Sequence, residues 1–448
     1  MSIQVKRRRE SAAFLSTYVG AAGELIVDTT NNRVQVHDGV TPGGFPAAKL
    51  SEIGTSGGPP APGGRLTLSS ATPVLISAVS GATSIYYTPY NGNQIPFWSG
   101  SAYVGTSFSE ISQALSDTTR SPAAAVANAL YDLFVWNNAG VPTLSRGPLW
   151  SQTATITMTI ASPCVVTWAG NTFTDNQPVV FTTTGALPTG LTAGTTYYVK
   201  AAGPVGTTFQ IAATPGGTAI NTSGSQSGTH TAVGGSYVSR GIGAGTTQLQ
   251  RTNGIMNNQN AITNGPAAGF GTYVGTIKTN ASAAVDWNPG GASAGGTAGV
   301  LSVWNMYNRR WVSARVNDTT ASWTYALVTP RFANNSAGNR INFLSGLAED
   351  GIEANYFNEF GVAAIAGSFM IIGFGMDVTA TFDRYYFGQT AAAFGEFFAG
   401  GTHGSYAPQL GWHYISAMEA SDGTHTGTML GGSLSGSPEM NLEVSLLM

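Results

Sequence analysis

The sequence predicts an all-β, multidomain protein, and three observations lead there. Runs of β-branched and aromatic residues are cut by Gly, Pro and Asn turn signals roughly every eight to ten residues through most of the chain. Charged residues are only 9% of the sequence although the hydrophobic content is an ordinary 42%. Glycine accounts for 59 of 448 residues, nearly twice the usual ~7%.

A chain of 448 residues exceeds one ordinary core, so two to about four domains are expected. A monomer of this size normally covers its surface with Lys, Glu, Asp and Arg. Here the surface is either neutral Ser, Thr and Asn, or is buried against copies of the same chain. A net charge of −3 argues against nucleic acid as a partner, which calls for a strongly basic face. No apolar run approaches the ~18 residues of a membrane span, so no membrane insertion is expected. The opening "KRRRESAAFLSTYVGAAG" imitates a signal peptide, but Glu10, Ser11, Ser16, Thr17 and Tyr18 break its apolar middle, and no signal peptide is expected. The single cysteine, Cys164, excludes an internal disulfide and reads as a small buried hydrophobe.

Residues 1–50 form the most charged module: ten of the chain's 19 basic and 22 acidic residues lie there. Leu25 and Val27 share one face of a first strand, Val34 and Val36 one face of a second, and "DTTNN" supplies the turn. "DGVTPGGFP" then reads as an ordered loop. So small a hairpin needs something outside itself to pack on. "SEIGTSGGPPAPGGR", within residues 51–65, is a Gly/Pro-rich linker.

Residues 66–152 together with 234–330 read as a β-rich, sandwich-like body. One short helix is expected in "SFSEISQALSDTTRSPAAAVANALYDLF", with Pro122 in its first turn and the alanines through Ala129 continuing it. A hairpin turning at Asn137–Gly140 follows. Residues 153–233 carry only Asp175 and Lys200 as charges, and their turn-punctuated β-runs suggest a small β-sandwich inserted into a loop of the body. Residues 331–448 read as a distal C-terminal β-sandwich ending on the alternating strand "MNLEVSLLM".

No group of residues assembles a nucleophile, a base and an orienting partner, so neither an enzyme nor a cofactor is expected. His403, His413 and His425 are spaced too widely for a zinc site, and no metal is expected. "GASAG" fits the G-x-S-x-G pattern around Ser293 but lies in a loop without the strand and helix that the motif needs. Glu349, Asp350, Glu353 and Glu359 could act as paired carboxylates on a glycosidic bond, form a solvated rim, or hold a cation. Trp304, Tyr307, Trp311, Trp323 and Tyr325 could stack on sugars as a receptor contact, or belong to the core. "KRRR" (Lys6–Arg9) could grip phosphate or dock on an acidic protein.

"GAAGEL" (Gly20–Leu25), "VDT…N" (Val27 to Asn32), "VHDG" (Val36–Gly39) and "GGFP" (Gly43–Pro46) together resemble the N-terminal domain of the phage major tropism determinant family. That resemblance covers about residues 1–50 and implies a trimeric β-module that anchors a fibre to a phage virion. It makes Lys6, Arg7, Arg8, Arg9, Val36, His37, Asp38, Gly39, Gly43, Gly44 and Phe45 the expected attachment residues. The body is similar to uncharacterised phage structural proteins, and residues 153–233 resemble a β-module inserted in phage virion proteins. The expected whole is a homotrimeric, virion-borne tail fibre whose partners are phage virion proteins and a host surface glycan or protein. The alternatives are a head fibre, collar or decoration protein without a specific receptor, or a tailspike that degrades polysaccharide.

Overall fold

Polar side chains fold the first strands by tying turns to their own backbone. In the computed structural model, which describes residues 7–49, 59–202, 207–241, 248–391, 395–432 and 440–448, the chain divides into two units, Met1–Pro60 and Ala61–Met448. The first is a four-stranded sheet in the order β1 (Arg9–Glu10), β2 (Leu25–Asp28), β3 (Arg33–Val36), β4 (Phe45–Pro46), with one helical turn α1 (Ala12–Leu15). The expected hairpin is present: Leu25 faces Val36, and Val27 faces Val34. Asp28 closes its turn by accepting from the Thr30 and Asn31 amides, and Asn32 takes the left-handed backbone. Most of the predicted linker, through residue 58, lies outside the described residues. Its last two residues already belong to the strand Gly64–Thr67.

Among the described residues the second unit is all-β apart from one 3₁₀ turn, Ala333–Asn335. The expected hairpin Leu130–Leu149 is present and turns at Ala139 and Gly140, both with positive φ (50° and 92°), the backbone that a tight two-residue turn demands. The predicted helix around Pro122–Ala129 is absent. Its amide hydrogens go to tertiary partners instead: Ala125 to the Leu115 carbonyl, Val126 to the Tyr131 hydroxyl, Ala129 to Thr279 Oγ1. Asn128, with φ of 52°, breaks the helical path as well. Alanine's helix propensity is a few tenths of a kcal/mol per residue, less than about 1 kcal/mol per well-placed hydrogen bond, so tertiary contacts decide.

The inserted segment is a closed barrel rather than a two-sheet sandwich. Its strands run in the order Ser151–Met158, Val166–Thr167, Thr208–Ala212, Thr196–Lys200, Pro178–Thr183 and His230–Gly235, which returns to the first. Closure removes both sheet edges, which a module of so few short strands could not otherwise cover. It has its own core, including Ile156, Trp168, Phe181 and Phe209, and Cys164 is buried in it, where desolvation pushes the thiol pKa up. Its first and last strands pair at Ser151–Gly235 and Gln152–Gly234, so the chain leaves the body and returns at one point.

Residues on the two sides of position 330 share their sheets and do not form separate sandwiches. Gly299–Leu301 pairs in parallel with Arg340–Ser345, and Trp311–Asp318 pairs along its length with Met440–Leu447. One hydrophobic core runs from Leu66 to Met448. The final strand shows why: Met440, Leu442, Val444 and Leu446 all face inward and are buried, each contributing about 1.5–3 kcal/mol by leaving water. A local pattern identifies such a strand but not its two partners, Trp311–Asp318 and Ile352–Val362, which lie far back along the chain.

Candidate functional site

The first unit places its predicted attachment residues in two different settings. His37 is interior: its Nδ1 accepts from the Gly20 amide at 3.1 Å and its ring meets Tyr18 edge-on. A Cβ at Gly20 would fall 2.6 Å from that ring, and one at Gly44 (φ +62°) would fall 2.7 Å from the Val36 carbonyl. His37, Gly20 and Gly44 therefore build the module and cannot themselves present a large surface to a partner. Asp38 orders the following loop, accepting from the Val40 and Thr41 amides and from the Thr41 hydroxyl. Those bonds, the Thr41 amide first, hold its pKa down at about 2.

The basic run is also partly spent inside the module. Arg8 bonds Glu10 at 2.9 Å and lies 4.4 Å over the Tyr18 ring, while Tyr18 donates to Glu24. Arg7 and Arg9 are exposed, and Lys6 lies outside the described residues. Gly39 and Gly43 shape the loop through positive φ values of 85° and 84°.

Besides Arg7 and Arg9, what remains for contact is mostly apolar. Val34 and Val36 project from the outer face of β3, and Phe45 lies directly across from Val36 on β4. Val36 and Phe45 are 41% and 57% exposed, and Val40 in the adjoining loop is more exposed still. The inner face is closed by Ile26 and Leu15, so the module is folded on one side and open on the other. Of the residues forming this stripe, sequence reasoning missed Val34 and Val40. Val34 was legible from the period-two alternation that placed it beside Val36.

In the second unit the predicted aromatic set does not assemble. Trp304 is buried, its ring packed so that Gly346 has no room for a side chain. Trp323 is buried and donates its Nε1 hydrogen to Glu419 at 2.5 Å; Arg331 bonds the same carboxylate and stacks 3.9 Å over Tyr325. Tyr307 is largely buried and receives the Met256 amide, with burial pushing its hydroxyl pKa up to about 12. These four are scaffold. Trp311, at 59% exposure, is the one of the five open to a partner.

Of the other candidates, Glu349, Asp350, His413, His425 and Ser293 are engaged in structural bonds, while Glu353, Glu359 and His403 lie on strands of one sheet. Glu349 and Asp350 are both held by Arg309, and Glu349 by Arg251 as well. His413 pairs with Asp377 and His425 with Asp422, each at 2.7 Å. Ser293 meets Thr297 at 2.8 Å. Among the described residues no three His, Cys, Asp or Glu side chains converge as a metal set.

Comparison with known proteins bears on the first unit. Residues 5–41 match the family described as the Major tropism determinant N-terminal domain, as the resemblance of the opening motifs implies. A tail fiber receptor-binding protein of Bordetella phage BPP-1 is 46% identical over 56 residues, covering 12% of this chain. The match spans 15% of that relative's length. Among solved structures, the Major Tropism Determinant M1 variant aligns at 24% identity with a TM-score of 0.13, covering 32% of this chain and 31% of that one. The U1 variant aligns at 20% identity with a TM-score of 0.14, covering 46% and 42%.

Proposed function

We propose that this chain is a bacteriophage virion fibre, non-enzymatic, held on the particle by its first unit as a homotrimer while its second unit meets the host surface. The observation that carries the reading is the family match at residues 5–41, on a module whose outer sheet face leaves Val34, Val36 and Phe45 uncovered. Three copies packing those faces together give a small module the core it lacks alone. Exposed Arg7 and Arg9 and the Asp38–Gly44 loop are then left at the rim for phage virion proteins. The likeness of this module to part of a tail fiber receptor-binding protein favours the tail as its place.

Immunogold labelling of intact virions with antibody to residues 61–448 tests it. Gold at the outer end of tail structures, with purified protein competing for adsorption, is the expected result. Gold over the capsid or collar without competition makes the chain a head fibre or decoration protein, and absence from particles ends the fibre reading.

A further inference from the structure

This inference rests on the fibre reading and gives the second unit's ligand a chemical class. Four strands lie side by side in the order Trp311–Asp318, Met440–Leu447, Ile352–Val362, Glu396–Tyr406. Their inward residues join the core, and the outward ones form a sheet face of exposed and half-buried side chains with none of the described residues packed across it. Pairing register aligns that face into rows. Arg315, Glu443, Asn355 and His403 make one row across all four strands, and Ser313, Ser445, Glu353 and Ser405 the next. At the ordinary strand separation of about 4.8 Å, a row runs about 14 Å. Phe357 lies beside the first row with Gly401, which has no side chain, directly across from it.

Ser313 and Ser445 bond each other at 2.6 Å in the second row, but the hydrogen-bonding capacity of the first row is unspent. Elsewhere the chain ties its acids down, as with Asp38, Asp132, Glu349 and Glu419. Here, among the described residues, the side chains of Arg315, Glu443, Asn355 and His403 make no bond within the chain, and the shielded Asn441 Oδ1 has no partner. Two depressions open on the face. One of about 280 Å³ is lined by Asn355, Phe357, His403, Asn441 and Glu443. The other, of about 310 Å³, is lined by Trp311, Glu353 and Ser405 among others.

The chemistry selects an occupant. A guanidinium, carboxylates, amides, hydroxyls and an imidazole are interspersed, so the face carries little net charge and gives no grip to a polyanion. Planar groups with paired donors and acceptors suit neighbouring hydroxyls, and exposed rings suit the apolar face of a pyranose. The sheet's interior strands spend their backbone groups on one another, so an added peptide strand finds no free ladder over this face. We infer that it binds a saccharide chain of low net charge. Arg315, Glu443, Asn355 and His403 bond its hydroxyls, and Trp311 stacks on a further ring. Weak binding at each face becomes firm through several copies.

The test applies full-chain protein to an array of printed oligosaccharides: neutral hexose and N-acetylhexosamine chains, and sulfated chains as a charged comparison. The expected result is retention of at least one neutral chain, with Asn355→Ala and Glu443→Ala each weakening it tenfold or more. Trp311→Ala should weaken longer chains more than short ones. Unchanged melting temperature and sedimentation for the variants show that folding and assembly persist. Retention of sulfated chains alone, of no chain, or binding indifferent to these substitutions overturns the inference. So does loss of an oligomer in Asn355→Ala, which makes the face a contact between copies. Virion labelling reads independently: a chain present on particles yet blind to every saccharide sinks this inference and leaves the fibre reading intact.

Discussion

Asp38 illustrates how single residues in this molecule replace the large core that a short module lacks. Its carboxylate collects two amides and a hydroxyl, and its pKa in the folded chain, about 2, lies below the usual ~3.9. Because the folded value is the lower one, the stabilisation is complete above the unfolded value and disappears as pH falls through about 2. The Thr41 amide resonance should titrate with a midpoint near pH 2 and lose that response in Asp38→Asn; a midpoint near 4 refutes the account. Gly44→Ala must adopt a positive φ and also press on the Val36 carbonyl, and should cost about 1–3 kcal/mol by thermal unfolding of the first unit. In the second unit, Asp132 is buried with Arg240 at 2.7 Å and with Thr276. Asp132→Ala strands the arginine and should cost about 3–5 kcal/mol in denaturant unfolding. At this scale the sequence was half legible. The glycines and Asp38 announced themselves through turn chemistry, but His37, Trp304 and Trp323 carry no local sign of being interior, since burial depends on what packs over them.

Among elements, strands whose pattern alternates were readable and those decided by distant partners were not. The β2–β3 hairpin, the Leu130–Leu149 hairpin and the last strand all follow from period-two spacing and turn residues. The helix expected at Pro122–Ala129 failed because its amides had partners at Tyr131 and Thr279 that no local pattern displays. The barrel's limits were visible as a loss of charge, and its closure was not, since closure is a pairing between its first and last strands. Those strands meet at Gln152 and Gly234, where a two-residue turn fits. Replacing residues 153–233 by Asn-Gly should therefore leave the remainder folded, with the melting temperature of its core shifted by only a few degrees. Collapse of the whole second unit would show instead that the barrel supports the body.

At the scale of the whole molecule, low charge and ordinary apolar content pointed to burial between copies, and the open face of the first unit offers a place for it. Sedimentation equilibrium of the full chain should give three times 46.2 kDa, and Val36→Asp combined with Phe45→Asp should return it to 46.2 kDa. An unchanged mass in the double variant would move the assembly contact elsewhere. The outward rows of Arg315 and Ser313 were beyond sequence reading. The alternation of "MNLEVSLLM" gave one column of that face, but only the register of four strands turns columns into rows.

Arg65 has a mechanical consequence. Just after the second unit begins, its guanidinium, buried and with its pKa lowered to about 10 by desolvation, bonds the carbonyls of Pro73, Asn308 and Met448. Met448 is in turn bonded both ways to Arg310 through the backbone. A pull on the strand Gly64–Thr67 from its N-terminal side reaches the backbone bonds of Gly63 and the Gly64–Pro89 pair first, and Arg65 then ties the same strand to the residue that follows the last strand. Peeling that strand from its ladder therefore also means breaking the bonds of Arg65 to Asn308 and Met448, far along the chain.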